Sequence, residues 1–136
     1  MKLPPRLAAL VVKDGVSLGL LGDADRSLVL ALAACTLPTG RAHREADVNQ
    51  LLGNWLEGPG AMLRTDHVEL RRWLVDAGFV SRDGFGREYV RGEAEAARTV
   101  ALLGDASAAV LGAAVRDLRA SKAAGREARR QVFTAR

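Results

Sequence analysis

Residues 64–91 carry six arginines, Arg64, Arg71, Arg72, Arg82, Arg87 and Arg91. A guanidinium stays charged at any physiological pH and offers two parallel N–H donors, which match a phosphate group or the O6/N7 edge of guanine. The chemistry these residues point to is DNA binding, by contact with phosphates and base edges rather than by bond making. The same stretch holds five acids, Asp66, Glu69, Asp76, Asp83 and Glu88, so the presumed reading surface is nearly neutral. At about 100° per residue, Arg72 points outward with Val68, Glu69, Val75 and Asp76, while Arg71 lies at the edge of the apolar stripe. A structural role beside Glu45 therefore competes with a DNA contact at Arg71.

Other chemistries find less support. Cys35, His43 and His67 are the soft metal ligands besides methionine, and their spacing matches no standard metal motif. Cys35 and His67 fall on apolar faces, which suits core residues better than ligands. There is no glycine-rich phosphate loop, no nucleophile elbow, and no carboxylate pair with a reason to converge. The expectation is a protein that is not an enzyme and uses no metal or cofactor.

Positioning the arginines requires helices and a hairpin. Residues 44–55 place Val48, Leu51, Leu52 and Trp55 on one side of an amphipathic helix. The loop at 57–60, Glu-Gly-Pro-Gly, ends it. Asp66 followed by Glu69 is a capping-box-like start for a helix over 67–77 that turns Leu70, Trp73, Leu74 and Ala77 inward, and Gly78 supplies its left-handed end. Residues 79–82 and 87–90 read as two strands around a glycine-rich turn at 83–86.

Upstream, prolines 4 and 5 open a short helix that Asp14-Gly15 breaks, and Asp23 is expected to cap a helix over 24–35 that buries one stripe. Downstream, a helix is expected over 93–103, a second capped by Asp105, and a basic extension that frays after Gly125. The pentapeptide Leu-Leu-Gly-Asp-Ala occurs at 20–24 and 102–106, too short to establish a structural repeat.

Length and composition set the frame. The chain has 136 residues, room for one hydrophobic core, so one domain is expected: a lead-in over 1–22, a core over 23–91 and terminal helices over 92–136. Hydrophobic residues make up 49% but aromatics only 4%, which favours closely packed helices built on Ala, Leu and Val. The single cysteine cannot form an internal disulfide, no secretory signal is visible, and the longest apolar run, 28–35, is far below the ~18 residues a membrane span needs. A cytoplasmic protein that avoids membranes is expected. The net charge of +4 is unevenly placed: residues 1–114 hold 13 Lys/Arg against 14 Asp/Glu, and residues 115–136 hold 7 against 2. A basic tail of this kind can neutralise phosphates or simply be a solvated helix face.

The order helix, helix, loop, helix, hairpin over 24–91 is that of a winged helix-turn-helix, in which the third helix can enter the major groove and the wing touches the backbone. The expected fold class is mainly α, a winged helix core of three helices plus a β-hairpin wing, with extra N- and C-terminal helices. Over about residues 41–91 the chain also resembles the bacterial domain of unknown function 2087 family, found alone and joined to transcriptional regulators. The likeness rests on Arg44-Glu45-Ala46-Asp47-Val48-Asn49 with Leu52, then Asp66 with Leu70-Arg71-Arg72-Trp73-Leu74-Val75-Asp76, then Gly78-Phe79-Val80-Ser81-Arg82, and Gly86 and Tyr89. The resemblance implies a winged-helix-like fold and suspected nucleic-acid binding. The chain departs from the family at His43, where an aromatic commonly begins the second helix, and in a longer, glycine-rich loop over 57–65.

Two functions remain open on the sequence. One is a DNA-binding transcriptional regulator, a homodimer through its terminal helices. The other is a protein-interaction module on the same scaffold without DNA readout, which the near-neutral 64–91 stretch suits. A ligand sensor or enzyme would need a pocket of convergent polar groups, which a sequence cannot display.

Overall fold

A computed structural model describes residues 2–85 and 87–134. Helix α1 (Pro5–Val11) starts at proline, whose fixed φ suits a first turn, and buries Leu7, Leu10 and Val11. A 3₁₀ turn (Leu18–Leu20) leads to α2 (Asp23–Ala34). Gly22, not Asp23, occupies the cap position, and Asp23 is the first helical residue and makes no cap bond. Together with Asp25, it instead places negative charge in the first turn, at the positive end of the helix dipole. The expectation of a single buried stripe is also corrected. Every residue from Val29 to Ala34 is buried, because α1, α4 and α5 pack on different sides of α2 and make it the central helix.

Strand β1 (Ala42–Arg44) follows, an element not expected from the sequence. His43 therefore does not begin a helix. It is buried in this strand opposite Tyr89, and its Nε2 lies 2.9 Å from the Pro38 carbonyl oxygen. Helix α3 (Glu45–Glu57) starts directly from the strand and buries Val48, Leu52 and Trp55. Helix α4 (His67–Asp76) is capped as its sequence implies, Asp66 Oδ1 accepting from the Glu69 N–H at 2.8 Å. Leu70 and Leu74 anchor it, while Trp73 and Ala77 are only half-buried. Gly78, at φ +80°, ends it in the left-handed region.

The hairpin is shorter than expected. Strands β2 (Ser81–Arg82) and β3 (Glu88–Val90) pair antiparallel, and β1 lies on the other side of β3, giving the sheet order β1-β3-β2. Phe79 and Val80 precede the strand and are buried in the core. Gly86, expected in the turn, lies outside the described residues. The sequence α2, β1, α3, α4, β2, β3 makes the protein mainly α with a winged-helix-like core, to which α1, α5 (Glu93–Leu103) and α6 (Ala108–Thr134) are added.

The buried side chains form one cluster that draws on α1 through α6. The glycine-rich loop after α3 owes its composition to this packing. A Cβ on Gly60 would meet the Trp55 ring at 2.3 Å, and one on Gly112 of α6 would meet Pro59 at 3.3 Å, so the loop is pressed between an aromatic ring and the last helix. Its far end forms a parallel bridge with the N-terminal segment: the Val16 N–H donates to the Met62 carbonyl and the Arg64 N–H to the Val16 carbonyl, each at 2.8 Å.

Helix α6 begins at Ala108 with the Ser107 hydroxyl accepting from the Val110 N–H at 3.2 Å, so Ser107 takes the capping role expected of Asp105. It runs unbroken through Gly125 to Thr134, where fraying was expected. The two Leu-Leu-Gly-Asp-Ala copies have different structures: one enters α2 and the other leaves α5, so they are no repeat. Among the described residues, the range Glu93–Thr134 is long and apolar enough by length and composition alone to cross a membrane. That range is divided by the turn at Gly104, at φ +78°, into two helices.

Two glycine substitutions separate packing from propensity. Gly60→Ala forces a Cβ into the buried Trp55 ring and should lower stability by about 1–3 kcal/mol. Gly53→Ala, mid-helix in α3 with nothing within 4 Å of the new Cβ, should raise it by about 0.5–1 kcal/mol. Urea midpoints measure both, and equal shifts would contradict the packing described.

Candidate nucleic-acid interface

The surface formed by α4 and the β2–β3 hairpin is held in place by one half-buried charge. Arg71 projects from α4 toward α3 and β3, its side chain only 15% exposed. One terminal guanidinium nitrogen donates to Asn49 Oδ1, the other lies 3.1 Å from Glu45 Oε1, and the guanidinium carbon sits 5.6 Å from the centre of the Tyr89 ring. The Tyr89 hydroxyl donates to the same Glu45 oxygen at 3.2 Å. Burial pushes the Tyr89 phenol above its ordinary pKa; the Arg71 charge opposes that rise and Glu45 adds to it. These bonds tie α3, α4 and β3 into fixed relative positions, which is the structural role anticipated for Arg71 beside Glu45. Both terminal nitrogens of Arg71 are thus engaged within the fold.

Arg91 is likewise engaged within the fold. It is half-buried behind the wing, donating to the Leu37 carbonyl at 3.0 Å with its other terminal nitrogen 4.0 Å from the Cys35 sulfur. It ties the end of β3 to the end of α2 rather than facing outward. Burial raises the Cys35 thiol pKa, and the neighbouring Arg91 charge pulls it back.

The remaining four are exposed: Arg64 just before α4, Arg72 on its outer face, Arg82 in β2, and Arg87 at the hairpin tip. The tip is ordered by Asp83, whose Oδ1 accepts from the Phe85 and Arg87 N–H groups at 3.1 and 2.9 Å. This presents Phe85, 85% exposed, with the Arg87 guanidinium 6.0 Å from its ring centre. Glu69 and Asp76 share the outer face of α4 with Arg72, and the Thr65 hydroxyl donates to Glu69 at 2.8 Å. Cations and anions alternate across the surface, so its local potential is close to neutral, as the composition indicates.

Cys35 lies just after α2, His43 in β1 and His67 in α4, and no group of three or more His, Cys, Asp or Glu gathers among the described residues. Sequence reasoning missed Asn49 and Tyr89 as the groups that position α4. The signal for Asn49 was its place one helical turn after Glu45, on the same face of α3.

The helices, the third strand and the hairpin define a winged-helix-like protein with a candidate surface on α4 and the wing. Residues 22–91 match the family described as an uncharacterized protein conserved in bacteria (DUF2087), and the chain belongs to it. The match reaches back to include α2, upstream of the 41–91 resemblance, so the family unit coincides with the winged-helix core. No curated protein and no solved structure matches the chain.

Adjacent arginines on α4 should behave oppositely. Arg71→Ala leaves Glu45 and Asn49 without their shared partner and the Tyr89 ring without its cation, and should cost about 1–3 kcal/mol. Arg72→Ala, on the exposed face, should stay within about 0.5 kcal/mol of the parent. Chemical denaturation of the two variants decides, and a neutral Arg71→Ala would show that the contacts around it do not hold the helix.

Proposed function

We propose that the protein binds duplex DNA with the outer face of α4 and the β2–β3 wing, acting as a transcriptional regulator. The observation that carries the reading is the distribution of the four exposed arginines. Arg64 and Arg72 flank and line the helix that a winged helix inserts in the major groove, and Arg82 and Arg87 lie on the hairpin that follows the backbone. Phe85 at the tip adds an apolar contact suited to a groove wall. A homodimer through the terminal helices belongs to the same reading. A groove of about 720 Å³ lined by Leu3, Pro5, Ala8, Leu103 and Leu118 opens beside α1 and α6, and pairing two copies would present two wings to one duplex.

A second reading, a protein-interaction module without DNA readout, is favoured by Glu69 and Asp76 on the outer face of α4 and by the 40% exposure of Val68 in its first turn. The acids would repel phosphates and suit a partner protein's surface.

Anisotropy with a labelled duplex separates the two. DNA binding predicts affinity that falls steeply with salt, and Arg72→Ala with Arg82→Ala should make the slope of log K against log salt shallower by roughly 2, about 0.9 per phosphate contact. If the parent binds and the double variant binds identically at low salt, this surface is not the DNA site.

A further inference from the structure

Helix α6 changes character along one face. Leu111 and Val115 are buried, and Leu118 and Arg119 are half-buried. At helical spacing the same face continues as Lys122, Arg126 and Arg129, positions i, i+4 and i+7. The change comes where the helix leaves the body. The last tether is Arg119, which donates to the Val11 and Lys13 carbonyls at 2.8 and 2.9 Å and to Asp14 Oδ1 at 2.8 Å, holding the Asp14 carboxyl below its usual pKa. From Ala120 to Thr134 every residue except Gly125 is exposed, and the helix projects for about 20 Å. It persists without packing because alanine is frequent and because Glu127 pairs along the helix with Arg130 at 3.3 Å and Gln131 at 3.4 Å.

We propose that this projecting half of α6 is a second DNA contact, a basic arm that lies along the phosphate backbone beside the α4 site. The inference rests on the DNA-binding reading above and adds to it a separate element with its own charge. The first support is charge complementarity: Lys122, Arg126 and Arg129 fall within about 60° of arc, while the acids of this segment, Asp117 and Glu127, fall outside that arc. The second is continuity with the α4 surface. The arm is rooted on Asp14, and two residues on, Val16 bridges Leu63 and accepts from the Arg64 N–H, immediately before α4. Gly112, two turns before the root, packs on Pro59 of the loop that leads into α4. The arm therefore leaves the body from the edge that bears Arg64.

The chemistry of the other faces favours a nucleic acid over a lipid surface. A helix that lies in a membrane interface needs bulky apolar side chains opposite its charges. Here the other faces carry Ala120, Ser121, Ala123, Ala124 and Ala128, with Val132 as their one bulky apolar side chain at the last turn, and Phe133 falls within the basic arc itself.

The test is the salt dependence of duplex binding by the full chain carrying Lys122→Gln, Arg126→Gln and Arg129→Gln. Glutamine keeps helix propensity, and circular dichroism checks that helix content is unchanged. The expected result is a slope of log K against log salt shallower by roughly 2 to 3 than the parent's, with Arg72→Ala and Arg82→Ala reducing it further when combined. A parent-like slope in the arm variant, with the α4 and wing variant still weakened, overturns the arm and leaves the α4 reading standing. Loss confined to the arm variant supports the arm and removes the α4 surface. Co-sedimentation of the parent with phosphatidylserine vesicles that the arm variant loses, alongside an unchanged duplex slope, overturns the proposal in favour of a membrane contact. No duplex binding by the parent at ~50 mM salt overturns both.

Discussion

The Arg71 guanidinium is the constraint on which the candidate surface depends. Helix α4 has two fully buried anchors, Leu70 and Leu74, which fix its distance from the core but do little to fix its rotation about its own axis. Rotation is set by directional bonds, and Arg71 supplies them to Asn49 and Glu45 of α3 while resting on the Tyr89 ring of β3. Tyr89 in turn is fixed by pairing with His43 on one side and Arg82 on the other. A charge placed inward thus determines which way Arg72 faces, and two adjacent residues of one type take opposite roles.

A second constraint lies behind the first. The loop between α3 and α4 is closed by Gly60 under Trp55, by Pro59 against Gly112, and by the bridge to Val16. It holds the start of α4, the root of α6 and the N-terminal segment together, so the added helices are not appendages of an independent core. The electrostatics divide along the same line. The winged-helix surface is almost neutral, whereas the projecting half of α6 holds a compact positive stripe. In the function proposed here, orientation comes from the first and much of the affinity from the second.

Much of this architecture is legible in the sequence because it rests on patterns with a physical period. The limits of α5 and the cap of α4 follow from helical repeats, an Asp with its free N–H partner, and Gly78 at a left-handed position. Strand β1 is not legible: three residues, Ala-His-Arg, with one buried position and no β-branched side chain, are a strand because β3 is there to pair with, and such a cause is nonlocal. The burial of the second half of α2, Val29–Ala34, on every side is hidden for the same reason, since α1 and α5 that cover it come from opposite ends of the core. At the site, the wheel placed Arg72 outward and Arg71 at the boundary, but Arg91 pointed inward only because Leu37 and Cys35 meet it across the fold.

The account turns on whether one contiguous surface, from Arg64 through α4 and the wing to the α6 arm, meets DNA. Backbone amide shifts of the isotopically labelled protein, recorded as an unlabelled duplex is added at low salt, test this residue by residue. The account predicts perturbations concentrated at residues 64–76, 81–90 and 119–134, with α1 and the groove lined by Leu3 and Leu103 unmoved. Perturbations confined to that groove, or none at any duplex concentration, would contradict it.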